Sequence, residues 1–256
     1  MRPGFAGGRI LGYSARPAVP PARKPRVPDE PVLIITGAST GIGAATARRA
    51  VEFGHRVTLA ARSEEKLAAL AEELGGDEKV LAVRCDVTDW DDQQALVRTT
   101  LERFGRLDAY FANAGFGANR GFLEETVEHW KAMIDTNVLG AALSIRSALG
   151  HFKEQGRGHY ILTSSIAGRR ALPGSLYSAT KFAVTSMGEG LRQELADTDV
   201  KVTLIEPGMV DTPFFENPPS DALEADDVAR VVLFALTQPP HVDVNEILVR
   251  PIRQRP

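Results

Sequence analysis

Thr36-Gly37-Ala38-Ser39-Thr40-Gly41-Ile42-Gly43 separates a short apolar run, Val32–Thr36, from a helical pattern over Ile42–Phe53. Glycines permit a tight turn and a close approach of the backbone to a ligand. The helix that follows offers unpaired N–H groups and a partial positive charge to a pyrophosphate. The glycine spacing is G-x-x-x-G-x-G, and no Lys-Ser/Thr follows as in a P-loop. We therefore predict a dinucleotide site here, and the alternative is a glycine-rich turn without a ligand.

Outward from this turn, short apolar segments alternate with longer segments of helical periodicity. The predicted strands are Val32–Thr36, Arg56–Ala60, Val80–Val83, Leu107–Ala112, Tyr160–Thr163, Val200–Ile205 and Glu246–Val249. The predicted helices are Ile42–Phe53, Glu64–Leu74, Trp90–Phe104, Glu124–His151, Ser175–Ala196 and Ala225–Leu236. This alternation predicts an α/β fold with a single Rossmann-type, doubly wound parallel sheet and helices on both faces. Ligands of such sheets bind beyond the carboxyl ends of the strands.

Length and composition exclude several classes of protein. The chain has 256 residues, 43% of them hydrophobic and 25% charged, as is usual for soluble globular proteins. Cys85 is the only cysteine, which excludes an intramolecular disulfide and a zinc site of paired cysteines. We predict no metal and a reducing compartment, the cytoplasm. No apolar run approaches the roughly 18 residues of a membrane span.

The first 30 residues differ from the rest in charge and proline content. Residues 1–28 contain six Arg or Lys, six Pro and no acidic residue. We predict a disordered, basic, proline-rich tail over 1–30 and a catalytic domain over 31–256. A targeting segment and a polyanion-binding tail are the alternatives for 1–30. The net charge is −3, so the remainder of the chain is acidic, which argues against a nucleic-acid partner.

Further motifs follow the glycine turn in a fixed order. They are Asn113-Ala114-Gly115 after the fourth strand, Asn137 within a helix, Tyr177-Ser178-Ala179-Thr180-Lys181, and Pro207-Gly208 followed by Thr212. Together they resemble the classical short-chain dehydrogenase/reductase (SDR) family over about residues 31–250. One departure is Ala112, where the family usually has a second Asn. The resemblance implies an enzyme that transfers hydride between a nicotinamide cofactor and a carbonyl or alcohol.

Tyr177 and Lys181 are four residues apart on a predicted helix and therefore share one face. A neighbouring ammonium favours the phenolate, so we expect Lys181 to lower the pKa of Tyr177. Tyr177 can then act as the acid/base at the substrate oxygen, which is worth typically 10²–10⁴-fold. The alternative is an ordinary pair on a helix surface.

The resemblance implies two further catalytic residues. Ser165, the second serine at the end of strand five, corresponds to the family's catalytic serine. It precedes Tyr177 by one residue fewer than usual, so Ser164 is the alternative. Asn137 corresponds to the helix asparagine whose backbone holds a water linked to Lys181, and a helix-capping or kinking role is its alternative.

The end of strand two predicts the choice of cofactor. Ala61 occupies the position at which an NAD enzyme has an acid. Arg62 follows it and can pair with a 2′-phosphate, so we predict NADP(H) rather than NAD(H). Thr40 argues against NADP(H), because many NADP-dependent members of the family have a basic residue at that position. The predicted cofactor-binding residues are Gly37, Ser39, Thr40, Gly41, Ile42, Gly43, Arg62, Asp86, Val87, Asn113, Ala114, Gly115, Tyr177, Lys181, Pro207, Gly208, Val210 and Thr212.

Substrate choice is predicted to lie in a lid over about 208–225. The apolar residues assigned to this lid are Phe214, Phe215, Pro218 and Pro219. Phe116 and Leu172 are expected to form part of the wall of the substrate pocket. Because Glu216 and Asp221 are the few charges there, we expect a small neutral carbonyl or secondary alcohol. The end, 244–251, resembles a subgroup with small hydroxy-acid and aldehyde-reducing members. The resemblance also implies a homodimer or homotetramer built from the helices that carry Asn137 and Tyr177.

Three other functions remain open at this point. They are a cofactor-binding regulator with little turnover, an NAD-dependent dehydrogenase of the same family, and a nucleotide-sugar epimerase or dehydratase. The complete Ser/Tyr/Lys/Asn set argues against the regulator. Members of the third class usually have a larger C-terminal domain, for which this chain has no room.

Overall fold

The computed structural model describes residues 30–214 and 220–254, and its main feature is a seven-stranded parallel sheet. The strands are β1 Val32–Thr36, β2 Arg56–Ala61, β3 Val80–Arg84, β4 Ala109–Ala112, β5 Arg157–Thr163, β6 Asp199–Pro207, β7 Val210–Asp211, β8 Leu223–Glu224 and β9 Glu246–Val249. The helices are α1 Gly41–Glu52, α2 Glu64–Glu73, α3 Trp90–Phe104, α4 Val127–Ile134, α5 Ala141–Gln155, α6 Leu176–Glu194 and α7 Ala225–Leu236. A π-helical segment, Asp135–Gly140, connects α4 to α5.

The strand order is β3-β2-β1-β4-β5-β6-β9, and all pairs in this sheet are parallel. Successive strands run outward in one direction from β1 to β3 and in the other from β4 to β9. The order reverses between β1 and β4, which is where open α/β sheets bind their ligands. The sheet therefore confirms the predicted Rossmann-type fold.

Two hydrophobic clusters hold the helices against the two faces of the sheet. Alternate residues of β1 point to opposite faces, Val32 and Ile34 to one and Leu33 and Ile35 to the other. The first cluster joins the sheet to α3, α5 and α6, and the second joins it to α1, α2 and α7. Because every residue of β1 is fully buried, its last residue presents the next turn rigidly.

Several predicted boundaries were wrong. The strand expected over Leu107–Ala112 begins at Ala109, and the strand expected over Val200–Ile205 spans Asp199–Pro207. The helix expected over Glu124–His151 begins at Val127, because the hydroxyl of Thr126 accepts a hydrogen bond from His129 N and caps it. It also widens into the π-helical segment before α5. The structure also has a strand pair that was not predicted, β7 with β8, which joins Val210–Asp211 to Leu223–Glu224.

Some predictions concern residues outside the described ranges. The predicted tail lies there apart from Glu30. So do Phe215, Glu216, Pro218 and Pro219 of the predicted lid. None of the helices in 30–214 and 220–254 combines the length and the apolar character that a membrane span requires.

Candidate active site

A cavity of about 550 Å³ opens at the carboxyl ends of the strands, on both sides of the β1/β4 switch point. This volume is within the usual range of ligand pockets, about 300–1,000 Å³. It is lined by the glycine turn and by the residues that follow β2, β3, β4, β5 and β6. The predicted site residues on its wall are Gly37, Ser39, Thr40, Gly41, Ile42, Arg62, Asp86, Val87, Asn113, Ala114, Gly115, Ser165, Tyr177, Lys181, Pro207, Gly208, Val210 and Thr212. Gly43 and Asn137 are not on the wall.

The glycine turn has the backbone that a dinucleotide site requires. Gly37 has a φ of +64°, and a Cβ there would lie 2.9 Å from the Cα of Ala114. A Cβ on Gly43 would lie 2.3 Å from the carbonyl oxygen of Gly37, so Gly43 acts through packing beneath the turn. Thr40 is the N-cap of α1, and its side chain makes no capping hydrogen bond within the described chain. Gly41 and Ile42, the first residues of α1, line the cavity, and a helix N-terminus at this place suits a pyrophosphate.

Asn113 holds the ends of three strands together. Its Nδ2 donates to the carbonyl oxygen of Thr36 at 3.0 Å, and its Oδ1 accepts from Thr163 Oγ1 at 3.1 Å. The hydroxyl of Thr36 accepts from the backbone N–H of Asn113 and of Ala114. Thr36 was not predicted as a site residue, although its position at the end of β1 beside the glycines was a usable signal. This network fixes the floor of the cavity.

The ends of β2 and β3 form one side of the cavity. Ala61, Arg62 and Ser63 line it from β2, and Asp86 and Val87 from β3. Arg62 is exposed. One oxygen of Asp86 accepts from both the N–H and the hydroxyl of Thr88, which orients the carboxylate. The end of β2 thus presents the cation Arg62 and the small side chains of Ala61 and Ser63. An acidic side chain at this strand end would favour NAD.

Tyr177 lies at the other end of the cavity, on the first turn of α6. Burial raises the pKa of Tyr177 to about 12, and a hydrogen bond with the side chain of Ser165 acts in the opposite direction. The ring packs against Phe214 with centroids 5.6 Å apart. Tyr177 is therefore a protonated phenol at neutral pH, oriented by a serine hydroxyl.

Lys181 is on the same face of α6, as the spacing predicts. Its Nζ donates a 2.7 Å hydrogen bond to the carbonyl oxygen of Thr163 and lies 5.7 Å from the centroid of the Tyr177 ring. Burial lowers the pKa of Lys181 to about 8. We expected Lys181 to lower the pKa of Tyr177. The net shift of that pKa in this structure is upward, because burial of the phenol dominates and Lys181 Nζ donates to the carbonyl oxygen of Thr163.

The two serines at the end of β5 have different surroundings. Ser164 Oγ donates to the carbonyl oxygen of Lys181 at 3.1 Å and lies 2.7 Å from Thr185 Oγ1. Ser165 is in contact with Tyr177, and its hydroxyl also accepts from Ala167 N at 3.1 Å. The hydroxyl of Ser165 therefore faces the reactive end of the cavity, whereas that of Ser164 is used to hold α6.

Asn137 lies in the π-helical segment and is buried. Its amide group donates to the carbonyl oxygen of Phe116 at 2.8 Å and to Thr180 Oγ1 at 3.1 Å. Its Oδ1 accepts from Phe116 N at 3.0 Å. The side chain thus joins the loop after β4 to α6 next to Lys181. π-helical turns are frequent at functional sites, and this one brings Asn137 between the two elements.

Several residues that sequence reasoning missed also line the cavity. Gln254, near the chain end, accepts from Met209 N at 2.9 Å and covers the start of the segment after β6. No local pattern marks it, since only the fold brings it there. Arg120 lines the substrate end with the predicted Phe116 and Leu172. Its basic charge in a loop after a strand was a usable signal.

Comparison with known proteins agrees with this geometry. A sequence model of the family described as short chain dehydrogenase matches residues 31–222. The chain belongs to the short-chain dehydrogenase/reductase family. An SDR relative, an uncharacterized oxidoreductase of Staphylococcus haemolyticus, is 42% identical over 86% of this chain and 97% of its own length.

Solved SDR structures share the fold with this chain. An alcohol dehydrogenase from the archaeon Thermococcus sibiricus, complexed with 5-hydroxy-NADP, has a TM-score of 0.79 at 31% identity, over 89% of this chain and 99% of its own. An SDR from Burkholderia phymatum in complex with NAD has a TM-score of 0.78 at 29% identity, over 86% and 89%. The comparisons confirm an SDR oxidoreductase that acts on CH–OH groups of small molecules with a nicotinamide cofactor.

Proposed function

We propose that this SDR enzyme is an NADP(H)-dependent reductase of small carbonyl compounds, with Tyr177 as the proton donor. The observation that carries this proposal is the contact of Tyr177 with Ser165, next to Lys181, in the cavity that the glycine turn also lines. A phenol with a pKa of about 12 keeps its proton at neutral pH and can give it to a carbonyl oxygen. The direction favoured by this charge state is reduction of the carbonyl to the secondary alcohol.

The residues divide the chemistry between them. When bound, a reduced nicotinamide supplies the hydride that adds to the carbonyl carbon. Tyr177 donates the proton to the carbonyl oxygen, and Ser165 donates a hydrogen bond to the same oxygen as negative charge develops on it. Lys181, buried beside the ring, stabilises the phenolate left after proton transfer. Asn137 holds the loop at Phe116 and α6 in the geometry that these steps require.

NADP(H) rather than NAD(H) is supported by the end of β2. Ala61 has no group to accept hydrogen bonds from the ribose hydroxyls, whereas Arg62 and Ser63 on the cavity wall can bind a 2′-phosphate. We place Asp86 on the adenosine side of the cofactor site. We assign the other predicted cofactor residues, except Gly43, to the pyrophosphate and nicotinamide, because they line the same cavity.

The proposal includes a lid, an assembly and a location. The β7/β8 pair joins Val210–Asp211 to Leu223–Glu224 within the segment proposed as the lid, 208–225, and Phe214 of that segment packs against Tyr177. A homodimer or homotetramer is supported by exposed apolar side chains on the helical segments that carry Asn137 and Tyr177, namely Ile134, Leu139 and Phe182. The cytoplasm is proposed from the single, buried cysteine.

A panel of ketones, aldehydes and secondary alcohols, followed at the nicotinamide absorbance with NADPH and NADH, tests the proposal. We expect turnover of carbonyl compounds with NADPH and a much lower kcat/KM with NADH. The control is Tyr177→Phe, which should bind NADPH normally and lose turnover about 10²- to 10⁴-fold. Equal turnover by Tyr177→Phe and the unmodified enzyme contradicts the proposal.

A further inference from the structure

The substrate end of the cavity carries a cation for which the proposed reaction has no use. Arg120, in the loop between β4 and α4, lines the cavity with Phe116, Leu172 and Phe214. The other charged residues on the described part of the wall are Arg62, Asp86 and Lys181. Arg62 and Asp86 belong to the adenosine side and Lys181 lies beside Tyr177. Arg120, an exposed residue, thus adds a positive charge to a wall that also carries apolar side chains.

The backbone on both sides of Arg120 is fixed by hydrogen bonds. The N–H of Asn119 donates to Glu125 Oε1 at 2.7 Å. The N–H of Gly121 donates to the carbonyl oxygen of Gly174, also at 2.7 Å. Gly174 immediately precedes Ser175, whose hydroxyl caps the helix that carries Tyr177. The backbone that carries Arg120 is therefore connected to the start of the helix that carries Tyr177.

The guanidinium of Arg120 is available to a ligand. Within 30–214 and 220–254 no carboxylate makes an ion pair with it. The nearby Glu125 already accepts from Asn119 and has its other oxygen 3.9 Å from His129 Nδ1. An arginine keeps its charge at all working pH values, and its planar fork matches a carboxylate in a bidentate pair.

We infer that the substrate is an oxo acid, reduced to the corresponding hydroxy acid, whose carboxylate binds Arg120. This inference rests on the proposed carbonyl reductase function. The carbonyl oxygen then faces Tyr177 and Ser165, and the carbon chain lies against Phe116, Leu172 and Phe214. It replaces the expectation of a neutral substrate, which counted the charges of the lid alone and left out the loop after β4.

Matched pairs of substrates test this inference. 2-, 3- and 4-oxopentanoate are each compared with their methyl esters, which keep the carbonyl and remove the charge. Because hydrogen bonds to charged groups contribute about 1.5–3 kcal/mol, we expect the unmodified enzyme to prefer at least one acid by about 10- to 100-fold in kcat/KM. Arg120→Met should remove this preference by lowering kcat/KM for the acid, because the substitution keeps much of the apolar stem of the side chain and removes the charged head.

Two controls separate recognition from structure. Arg120→Lys should recover part of the preference for the acid, since it keeps the charge and loses the fork. Arg170→Met removes an exposed arginine that does not line the cavity and should leave the preference unchanged. Binding is measured separately by calorimetry of the NADPH complex in the Tyr177→Phe background, where adding Arg120→Met should weaken the affinity for the preferred acid by a similar factor.

The outcomes distinguish this inference from the function on which it rests. A preference for every ester over its acid, or an unchanged preference in Arg120→Met, overturns the assignment of Arg120 while carbonyl reduction stands. Absence of turnover with all acids, esters and neutral ketones overturns both.

Discussion

The ammonium of Lys181 donates a hydrogen bond to the main-chain oxygen of Thr163 and thereby attaches α6 to the carboxyl end of β5. Thr163 in turn donates to Asn113, whose amide binds the end of β1. One chain of hydrogen bonds therefore connects the helix with Tyr177 to the glycine turn. The proton donor and the cofactor cradle are positioned by the same contacts.

The pH dependence of reduction is the first prediction. Lys181, with a pKa of about 8, loses its charge above that pH, whereas Tyr177, with a pKa of about 12, keeps its proton. Because the ammonium stabilises the phenolate, kcat should decrease above pH 8 with an apparent pKa near 8. The measurement is kcat at saturating substrate from pH 6 to 10. In Lys181→Arg, kcat should not decrease between pH 6 and 10, since arginine does not deprotonate. If kcat of that variant decreases in the same way, a group other than Lys181 causes the decrease.

The second prediction concerns cofactor preference. Ala61→Asp introduces an acceptor for the ribose hydroxyls and a negative charge that repels a 2′-phosphate. We expect kcat/KM to fall about 10- to 100-fold for NADPH, the loss of roughly one charge-assisted interaction, and to rise for NADH. Arg62→Met should raise KM for NADPH and leave KM for NADH unchanged. Parallel changes for both cofactors in Arg62→Met would place the 2′-phosphate elsewhere.

The sheet could be predicted from the sequence because burial on both faces gives its strands continuous apolar runs. Strand ends were less predictable. β5 begins at Arg157, where backbone pairing with Asp199 of β6 extends it over residues without an apolar pattern. The site was predictable where chemistry requires a residue type at a fixed spacing, as for Tyr177 and Lys181.

Other parts of the site depend on tertiary contacts that have no local pattern. The π-helical segment around Asn137 contains no proline that would mark it in the sequence. It occurs where the Asn137 side chain forms hydrogen bonds to Phe116 and Thr180. Gln254 reaches the cavity only because the fold brings it next to Met209, whose N–H donates to it. The pKa of Tyr177 follows from burial, which the residue spacing does not reveal.

The third prediction uses the neighbouring serines as a matched pair. Ser165→Ala removes the hydroxyl that binds Tyr177. It should lower kcat about 10²- to 10³-fold, which is the usual effect of removing one hydrogen-bond donor to a developing oxyanion. Ser164→Ala removes the contacts to Lys181 and Thr185 and should lower the free energy of unfolding by about 0.5–1.5 kcal/mol with most activity kept. The measurements are kcat and chemical denaturation of both variants. Equal losses of kcat would show that Ser165 has no special role.

The last prediction concerns a buried carboxylate at the end of β6. Glu206 is 1% exposed, and Arg169, which follows the turn after Ser165, donates to it at 2.6 Å and also pairs with Glu246. Burial raises the pKa of Glu206, and Arg169 opposes that rise. Arg169→Met removes the opposing charge, so the pKa of Glu206 should rise further. The variant should lose about 1–3 kcal/mol of unfolding free energy at pH 8, the cost of a buried charged group without its partner.

This loss should itself depend on pH. A carboxyl group whose pKa is raised by folding stabilises the native state when protonated and ceases to do so as the pH rises through the raised value. The deficit of Arg169→Met relative to the unmodified enzyme should therefore be largest at pH 8 and shrink as the pH falls through the raised pKa of Glu206. Urea denaturation at pH 8 and pH 5 measures both values. The double variant Arg169→Met/Glu206→Gln has no buried charge to compensate, so its deficit should be smaller at pH 8 and should change little between the two pH values. If the deficit of the single variant is equal at both pH values, Arg169 stabilises the end of β6 by packing and not by its charge.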